Sequence, residues 1–383
     1  MQFPSASRPT WVEVSLAALR RNFRLTQEHV GPEVTVCAVV KADAYGHGAV
    51  ECARALEQEG ATWLGVTSTD EGVRLREAGI KARILLMTGF WRGEQEAVIQ
   101  HQLTPAVWQR ESIEVLDSAA CAAKAPDAAP VHLKIDTGMS RLGVPPDQLA
   151  KLCESLAKAK HLRVEGIFTH FASSEIVDGE SNVQQLARFE AALGAFRRHG
   201  IQPQFIHAAN SSAIVALPEA RYNFVRPGIS LYGYYLPFLS STGSPSELHG
   251  LDVEPVLSWK TRIIGLRELP TGASVGYGSI YTARQPARIA VLPLGYADGL
   301  NRKLSSLGRV LIRGQAAPII GRISMDLTIV DITAIPETEV GEEVTILHNA
   351  EGHLDAWEHA RLAETVPYET LCAISGRVPR RYL

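Results

Sequence analysis

The sequence predicts an α/β protein, with an N-terminal (β/α)8 TIM-type barrel over residues 11–240 and a mainly β C-terminal domain over 241–383. Three observations lead there. From about residue 11 to 235, eight short apolar runs alternate with amphipathic stretches, the pattern of a parallel sheet wrapped by helices. The stretch LPFLSSTGSPSELHG, rich in Ser, Pro and Gly, interrupts that pattern near 237–250 and reads as a boundary. Beyond it the apolar runs are short, β-branched and separated by glycine-bearing turns, as in an all-β barrel or sandwich.

Each element has its own signal. Ser15 is an N-cap candidate, and Leu16, Leu19 and Phe23 share one face of the helix it would open. Strands are expected at 34–40, 63–67, 83–88, 103–107, 131–136, 164–169, 204–209 and 222–226. VTVCAVV is typical of them: apolar throughout, as a strand buried on both faces must be. Helices fall between the strands, at 49–60, 69–79, 94–101, 110–124, 146–160, 181–199 and 211–217. A doubly wound open sheet is the structural alternative; eight strands favour the barrel. In the second domain, VLSWKTRIIGL, ARIAVLPL, GRVLIRG, APIIGRISMDLTIVDI and EEVTILH read as strands, and one helix at about 354–374 closes the chain.

Composition narrows the function classes. The 383 residues carry 46% hydrophobic and 21% charged side chains and a net charge of −3, which is ordinary for a globular protein and lacks the basic footprint of a nucleic-acid binder. No apolar run approaches the roughly 18 residues needed to span a membrane, and MQFPSASRPTW lacks the regions of a signal peptide. The five cysteines are scattered, with no CxxC, so a reducing cytoplasm is expected, with no disulfide and no metal site.

Barrel enzymes carry their reactive groups at the C-terminal ends of the strands. Here those ends read Lys41; Lys134 and Asp136, with Arg141 in the following loop; His170; Asn210 and Ser211; and Arg226. Arg226 leads into Pro227-Gly228-Ile229. Gly228 taken alone reads as a tight turn. After the eighth strand, however, such a glycine lets backbone N–H groups approach an anion, at the usual phosphate site of this barrel. A lysine amine, a phosphate cradle and an arginine on one rim suit pyridoxal phosphate.

The motifs VVKADAYGHG, HLKIDTGMSRLG, FTHFASSE, HAANSSA, VRPGISLYG, GYGSIYTA, LPLGYADG, GRISMDL and SGRVPR occur in that order, and along nearly its whole length the chain resembles the alanine racemase family. The resemblance implies an isomerase that interconverts L- and D-alanine by two-base transfer of the α-proton on a pyridoxal phosphate aldimine. It implies D-alanine supply for peptidoglycan and a homodimer with shared active sites. Lys41 matches the lysine that binds the cofactor and acts as one base. Tyr277, lent by the partner subunit, matches the other.

The remaining roles carry over in the same way. Tyr45, Asn210, Ser211, Gly228 and Ile229 match the phosphate site, and His170 links Tyr277 to Arg226. Arg226 matches the arginine at the pyridine nitrogen. A guanidinium only donates hydrogen bonds, so that nitrogen stays an unprotonated acceptor and the ring withdraws electrons less strongly. Arg141 matches a residue contacting the cofactor and the substrate carboxylate. Met325 and Tyr296 match substrate-side residues, with Asp326 beside them. Lys134 matches a lysine that many relatives carbamylate; an ordinary lysine–carboxylate pair with Asp136 is the alternative. Arg302, Arg322 and Glu175 match the substrate entrance. One departure stands out: some relatives have a tyrosine where this chain has Gly376, so a broader alanine/serine racemase is the second functional reading. A decarboxylase would place an acid at the ring nitrogen, where this chain has Arg226. A cofactor carrier would lack the domain bearing Tyr277 and Met325.

Overall fold

The computed structural model describes residues 8–124, 127–348 and 354–383; residues 1–7, within the segment read above as lacking a signal peptide, lie outside them. The described residues form two compact units: residues 19–44 with 49–253, and the residues up to Ala18 with Tyr45–Gly48 and Glu254–Leu383.

The first unit is the barrel. Its eight parallel strands are β2 (Thr35–Val39), β3 (Trp63–Val66), β4 (Arg83–Leu86), β5 (Thr104–Val107), β6 (Ala129–Lys134), β7 (Leu162–Phe168), β8 (Phe205–His207) and β9 (Phe224–Val225). They hydrogen-bond in the order β8-β7-β6-β5-β4-β3-β2-β9. Arg226 N–H donates to Ala209 O at 3.0 Å, across the gap where β9 meets β8. All eight expected strands are present, and the sheet is a nearly closed barrel rather than a doubly wound one. Cys37, Trp63, Leu85, Phe205 and Phe224, one each from β2, β3, β4, β8 and β9, pack into one core cluster.

Helices α1 (Leu16–Val30), α3 (Ala49–Gln58), α4 (Thr69–Glu77), α5 (Gln95–Gln100), α6 (Arg110–Ala123), α7 (Leu149–Lys158), α8 (Glu180–Arg198) and α9 (Ser211–Ala216) match the expected segments. Ser15 does cap α1, its hydroxyl accepting from Ala18 N–H at 3.2 Å. A capping box starts α4, with Ser68 and Glu71 satisfying each other's backbone.

The second unit holds a six-stranded sheet and a three-stranded sheet. The larger runs β16 (Gln315–Pro318), β15 (Arg309–Ile312), β18 (Glu343–Leu347), β10 (Leu257–Arg262), β1 (Thr10–Val14), β19 (Arg380–Tyr382). The smaller runs β11 (Gly265–Leu269), β14 (Ala287–Leu292), β17 (Thr328–Asp331). Val275, Ile289 and Ile320 form a core cluster here. The expected division at 240/241 gave residue 11 onward to the barrel. In the structure Thr10–Val14 instead pairs antiparallel with β10 and parallel with β19, because a strand joins the sheet that satisfies its backbone, not its neighbour in sequence. The expected single helix at 354–374 is two: α10 (Ala356–Ala363) and α11 (Pro367–Cys372). Glu364 caps the first in the left-handed region at φ 55°, and Pro367 opens the second, where its missing N–H does no harm.

Candidate active site

The chain leaves β2 directly into α2 (Lys41–Tyr45), a left-handed turn. Ala42, Asp43, Ala44 and Tyr45 have φ of 52°, 52°, 55° and 53°. Such backbone costs an L-residue about 1–2 kcal/mol each and persists only where the surroundings enforce it. Here Glu71 Oε1 accepts from Ala42 N–H at 2.6 Å, and Asp43 Oδ1 accepts from Ala49 N–H at 2.9 Å. The glycines that follow are obligatory: Gly46 lies at φ +82°, and a Cβ on it would stand 2.4 Å from Leu371 O. The turn places Lys41 at the mouth of the barrel.

Around that mouth the structure brings together cations with few anions. Lys134, at the end of β6, is buried and donates to Met87 O at 3.2 Å. Burial, followed by the charges of Arg226, Arg141 and Lys41, pushes its amine down to about 7, against an upward pull from Asp136. Arg226 is buried too, and burial lowers it to about 10, so it stays charged at neutral pH. Its Nη1 donates to His207 Nδ1 at 2.6 Å, and its Nη2 donates to Thr169 O at 2.7 Å and Ala208 O at 3.1 Å, with His170 Nδ1 at 3.5 Å. Burial and the same cations hold His170 well below the usual imidazole range, so the ring is neutral.

Ser211, Gly228 and Ser230 lie together at the ends of the last two barrel strands. The Ser211 hydroxyl accepts from Gly228 N–H at 2.8 Å, Ser230 N–H at 3.3 Å and the Ser230 hydroxyl at 3.0 Å. Asn210 caps α9, its Oδ1 accepting from Ala213 N–H and from the Ser174 hydroxyl. Ile229 follows in a short 3-10 turn. Converging donors and clustered positive charge fit an anionic ligand that can also react with an amine, and pyridoxal phosphate has both properties.

Tyr45, Tyr277, Tyr296 and Met325 belong to the other unit. Tyr45 is buried, its ring centroid 6.0 Å from that of Tyr368. Tyr277 is 73% exposed at the tip of a turn between Gly276 and Gly278, whose φ values are 70° and 74°. Tyr296 and Met325 are exposed on adjoining loops, tied by Tyr296 N–H to Ser324 O at 3.0 Å and Ala297 N–H to Met325 O at 3.1 Å. The sequence reading missed His207, which takes a hydrogen bond from Arg226, and Glu71, which pins α2. His207 does head the HAANSSA motif, whereas Glu71 shows in the sequence only as a capping-box residue after Ser68.

Comparison with known proteins accounts for both units. The family model "Alanine racemase, N-terminal domain" matches residues 14–236, and "Alanine racemase, C-terminal domain" matches residues 256–382. An alanine racemase of Halothermothrix orenii is 38% identical over 379 residues, covering 98% of this chain and 97% of its own. The crystal structure of alanine racemase from Streptomyces lavendulae superposes with a TM-score of 0.90 at 34% identity, over 99% of this chain and 98% of that one. That of Bartonella henselae, with covalently bound pyridoxal phosphate, gives a TM-score of 0.85 at 30% identity, over 98% of this chain and 99% of that one. The chain belongs to the alanine racemase family.

Proposed function

We propose that the chain performs the family's interconversion of L- and D-alanine with pyridoxal phosphate in the barrel mouth, Lys41 and a partner subunit's tyrosine at position 277 serving as the two bases. The observation that carries this reading is the pair of buried cations, Lys134 and Arg226, at the barrel mouth where Lys41 follows β2. When bound, pyridoxal phosphate supplies an aldehyde that condenses with amines and a ring that draws electrons from the substrate's Cα. Lys41 Nζ holds it, then takes or returns the Cα proton on one face. The Tyr277 phenol does the same on the other.

The remaining residues set protonation and orientation. Because Arg226 can only donate, the His170 Nδ1 facing it is an acceptor, and the ring proton sits on Nε2. That N–H is available to a phenolic oxygen, which at an ordinary pKa of roughly 10 needs such help to act as a base near neutrality. Arg226 likewise keeps the cofactor's ring nitrogen an acceptor, which favours return of the proton to Cα. Arg141 offers a planar fork to a carboxylate, and Met325 and Tyr296 line the substrate's other side. Ser211, Asn210, Gly228, Ile229 and Tyr45 bind phosphate. Lys134, with its amine near 7, is largely unprotonated just above neutrality. In that state it can attack carbon dioxide, forming an N–C bond and releasing one proton, which turns a neutral amine into an anion beside Arg141.

Exposed apolar residues of the second unit, among them Tyr277, Ile280, Tyr296, Met325 and Leu327, support a homodimer. Glycine at 376 supports the broader reading: a Cβ there would meet nothing within 4 Å, so the region has space for a side chain larger than that of alanine. Unbridged cysteines such as exposed Cys121 suit the cytoplasm, where D-alanine for peptidoglycan is made. The deciding experiment follows the α-hydrogen of L- and D-alanine in deuterated water, with cofactor absorbance recorded alongside. Deuterium incorporation with inversion is expected. Carbon dioxide release, or cofactor binding without turnover, overturns the reading.

A further inference from the structure

Two histidines in the ordered motifs have no part in the chemistry above. His132 heads HLKIDTGMSRLG and His207 heads HAANSSA. Both are fully buried, on β6 and β8, among Trp63, Phe168, Phe205 and Phe224. An aromatic core is a costly place for two imidazoles unless their nitrogens are paired.

Three of their four nitrogens are hydrogen-bonded in a line; the fourth, His132 Nε2, makes no hydrogen bond and faces a carboxylate at ion-pair distance. Arg226 Nη1 donates to His207 Nδ1 at 2.6 Å, His207 Nε2 lies 2.8 Å from His132 Nδ1, and His132 Nε2 lies 3.8 Å from Glu165 Oε2. Glu165, on β7, is buried and accepts from Arg83 Nη1 at 2.9 Å and Arg163 Nη2 at 3.0 Å. Burial alone would raise its carboxyl; the facing His132 ring, Arg83 and Arg163 outweigh burial and bring it to about 2. Room for the His132 ring comes from the residue next to Glu165: a Cβ on Gly166 would stand 2.4 Å from His132 Nδ1.

Both ends favour one direction of this line: a guanidinium has no acceptor and a carboxylate has no donor. At one end His207 Nδ1 is favoured as the acceptor, which puts the His207 proton on Nε2. His132 Nδ1 then accepts that proton, and its own, on Nε2, faces the Glu165 carboxylate. Burial lowers both imidazoles, so each carries a single proton and the chain has only two senses. In the reverse sense His207 would present an N–H to a guanidinium N–H, donor against donor. A negative charge at the far end selects the productive sense.

We propose that Glu165 is a positioning residue for Arg226, acting through His132 and His207 to keep an acceptor against the guanidinium and so hold it in one orientation. A carboxylate needed only to pair with Arg83 and Arg163 would not require two imidazoles between it and the barrel mouth. The inference rests on the proposed placement of Arg226 at the cofactor's ring nitrogen.

The test uses cofactor-loaded protein labelled with 15N-histidine. In the wild type, His132 and His207 are both expected as neutral Nε2–H tautomers; an Nδ1–H tautomer on either ring overturns the proposal without any variant. In Glu165→Gln, His207 is expected to become a mixture of tautomers, with kcat for alanine falling about tenfold and KM changing less than twofold, while Glu165→Asp restores both readouts. His132→Phe, which leaves Glu165 its two arginines, is expected to match Glu165→Gln. Wild-type tautomers and wild-type kcat in either variant overturn the proposal. Failure of the wild type itself to racemise would instead sink the functional reading, since the tautomers are read independently of turnover.

Discussion

At the scale of single residues, the site is a problem of unlike demands on like groups. Lys41 and Lys134 share one field, yet the first is proposed to react with an aldehyde while the second lies buried with its amine near 7. Lys134 gives a signed pH dependence. Unfolded, it holds its proton up to its ordinary value of 10.5, but folded only to about 7. Between those values the unfolded chain binds more protons, so stability rises with pH across that window. Urea midpoints of bicarbonate-free apoprotein should climb from pH 7 to 10, and Lys134→Met should flatten the climb; equal slopes would remove the assignment. Tyr277→Phe keeps the ring and deletes the proton carrier, so turnover should fall by about 10²–10⁴, with cofactor absorbance intact. Gly376→Tyr has open space to enter and should lower turnover of serine relative to alanine. An unchanged serine-to-alanine ratio would show that this position does not set substrate range. Most of these residues could be read from the sequence because they sit at strand ends inside ordered motifs. His132, His207 and Glu165 could not, because their roles depend on which nitrogen faces which atom, and spacing along a chain carries no tautomer.

At the scale of elements, the barrel strands were legible because burial on both faces leaves runs such as Trp63–Val66 and Arg83–Leu86 almost wholly apolar. Two elements were not. Thr10–Val14 has strand composition, but its partners lie at the far end of the chain, beyond the reach of any local pattern. The turn α2 was hidden for a different reason: nothing in Ala42-Asp43-Ala44 announces left-handed backbone, which is imposed by Glu71 and Asp43 from outside the propensity of the residues themselves. This suggests a stability test. Ala42 is exposed with φ 52°, so Ala42→Gly should relieve strain of about 1–2 kcal/mol at an entropic cost of about 0.5–1 kcal/mol. A rise in thermal midpoint is expected, and a fall would mean that the turn is not strained in solution.

At the scale of the whole molecule, the proposed sharing of sites makes a numerical prediction. Lys41→Ala and Tyr277→Phe subunits should each be nearly inactive as homodimers, but a mixed dimer would hold one complete site and one lacking both bases. Random reassortment of equal amounts should restore about a quarter of wild-type activity; no recovery after verified exchange of subunits would place both bases in the same chain. The second unit, meanwhile, is assembled from both ends of the polypeptide: β1 lies inside the six-stranded sheet, between β10 and β19. During synthesis at about 5–20 residues per second, Trp11, Val12 and Val14 emerge before the barrel and then wait while more than two hundred residues are added before β10 exists. The entire barrel can fold in that interval as an insertion within an unfinished sheet. An apolar strand made before the barrel thus finds shelter only after it, and the nascent chain must be kept from self-association until β10 and β19 arrive.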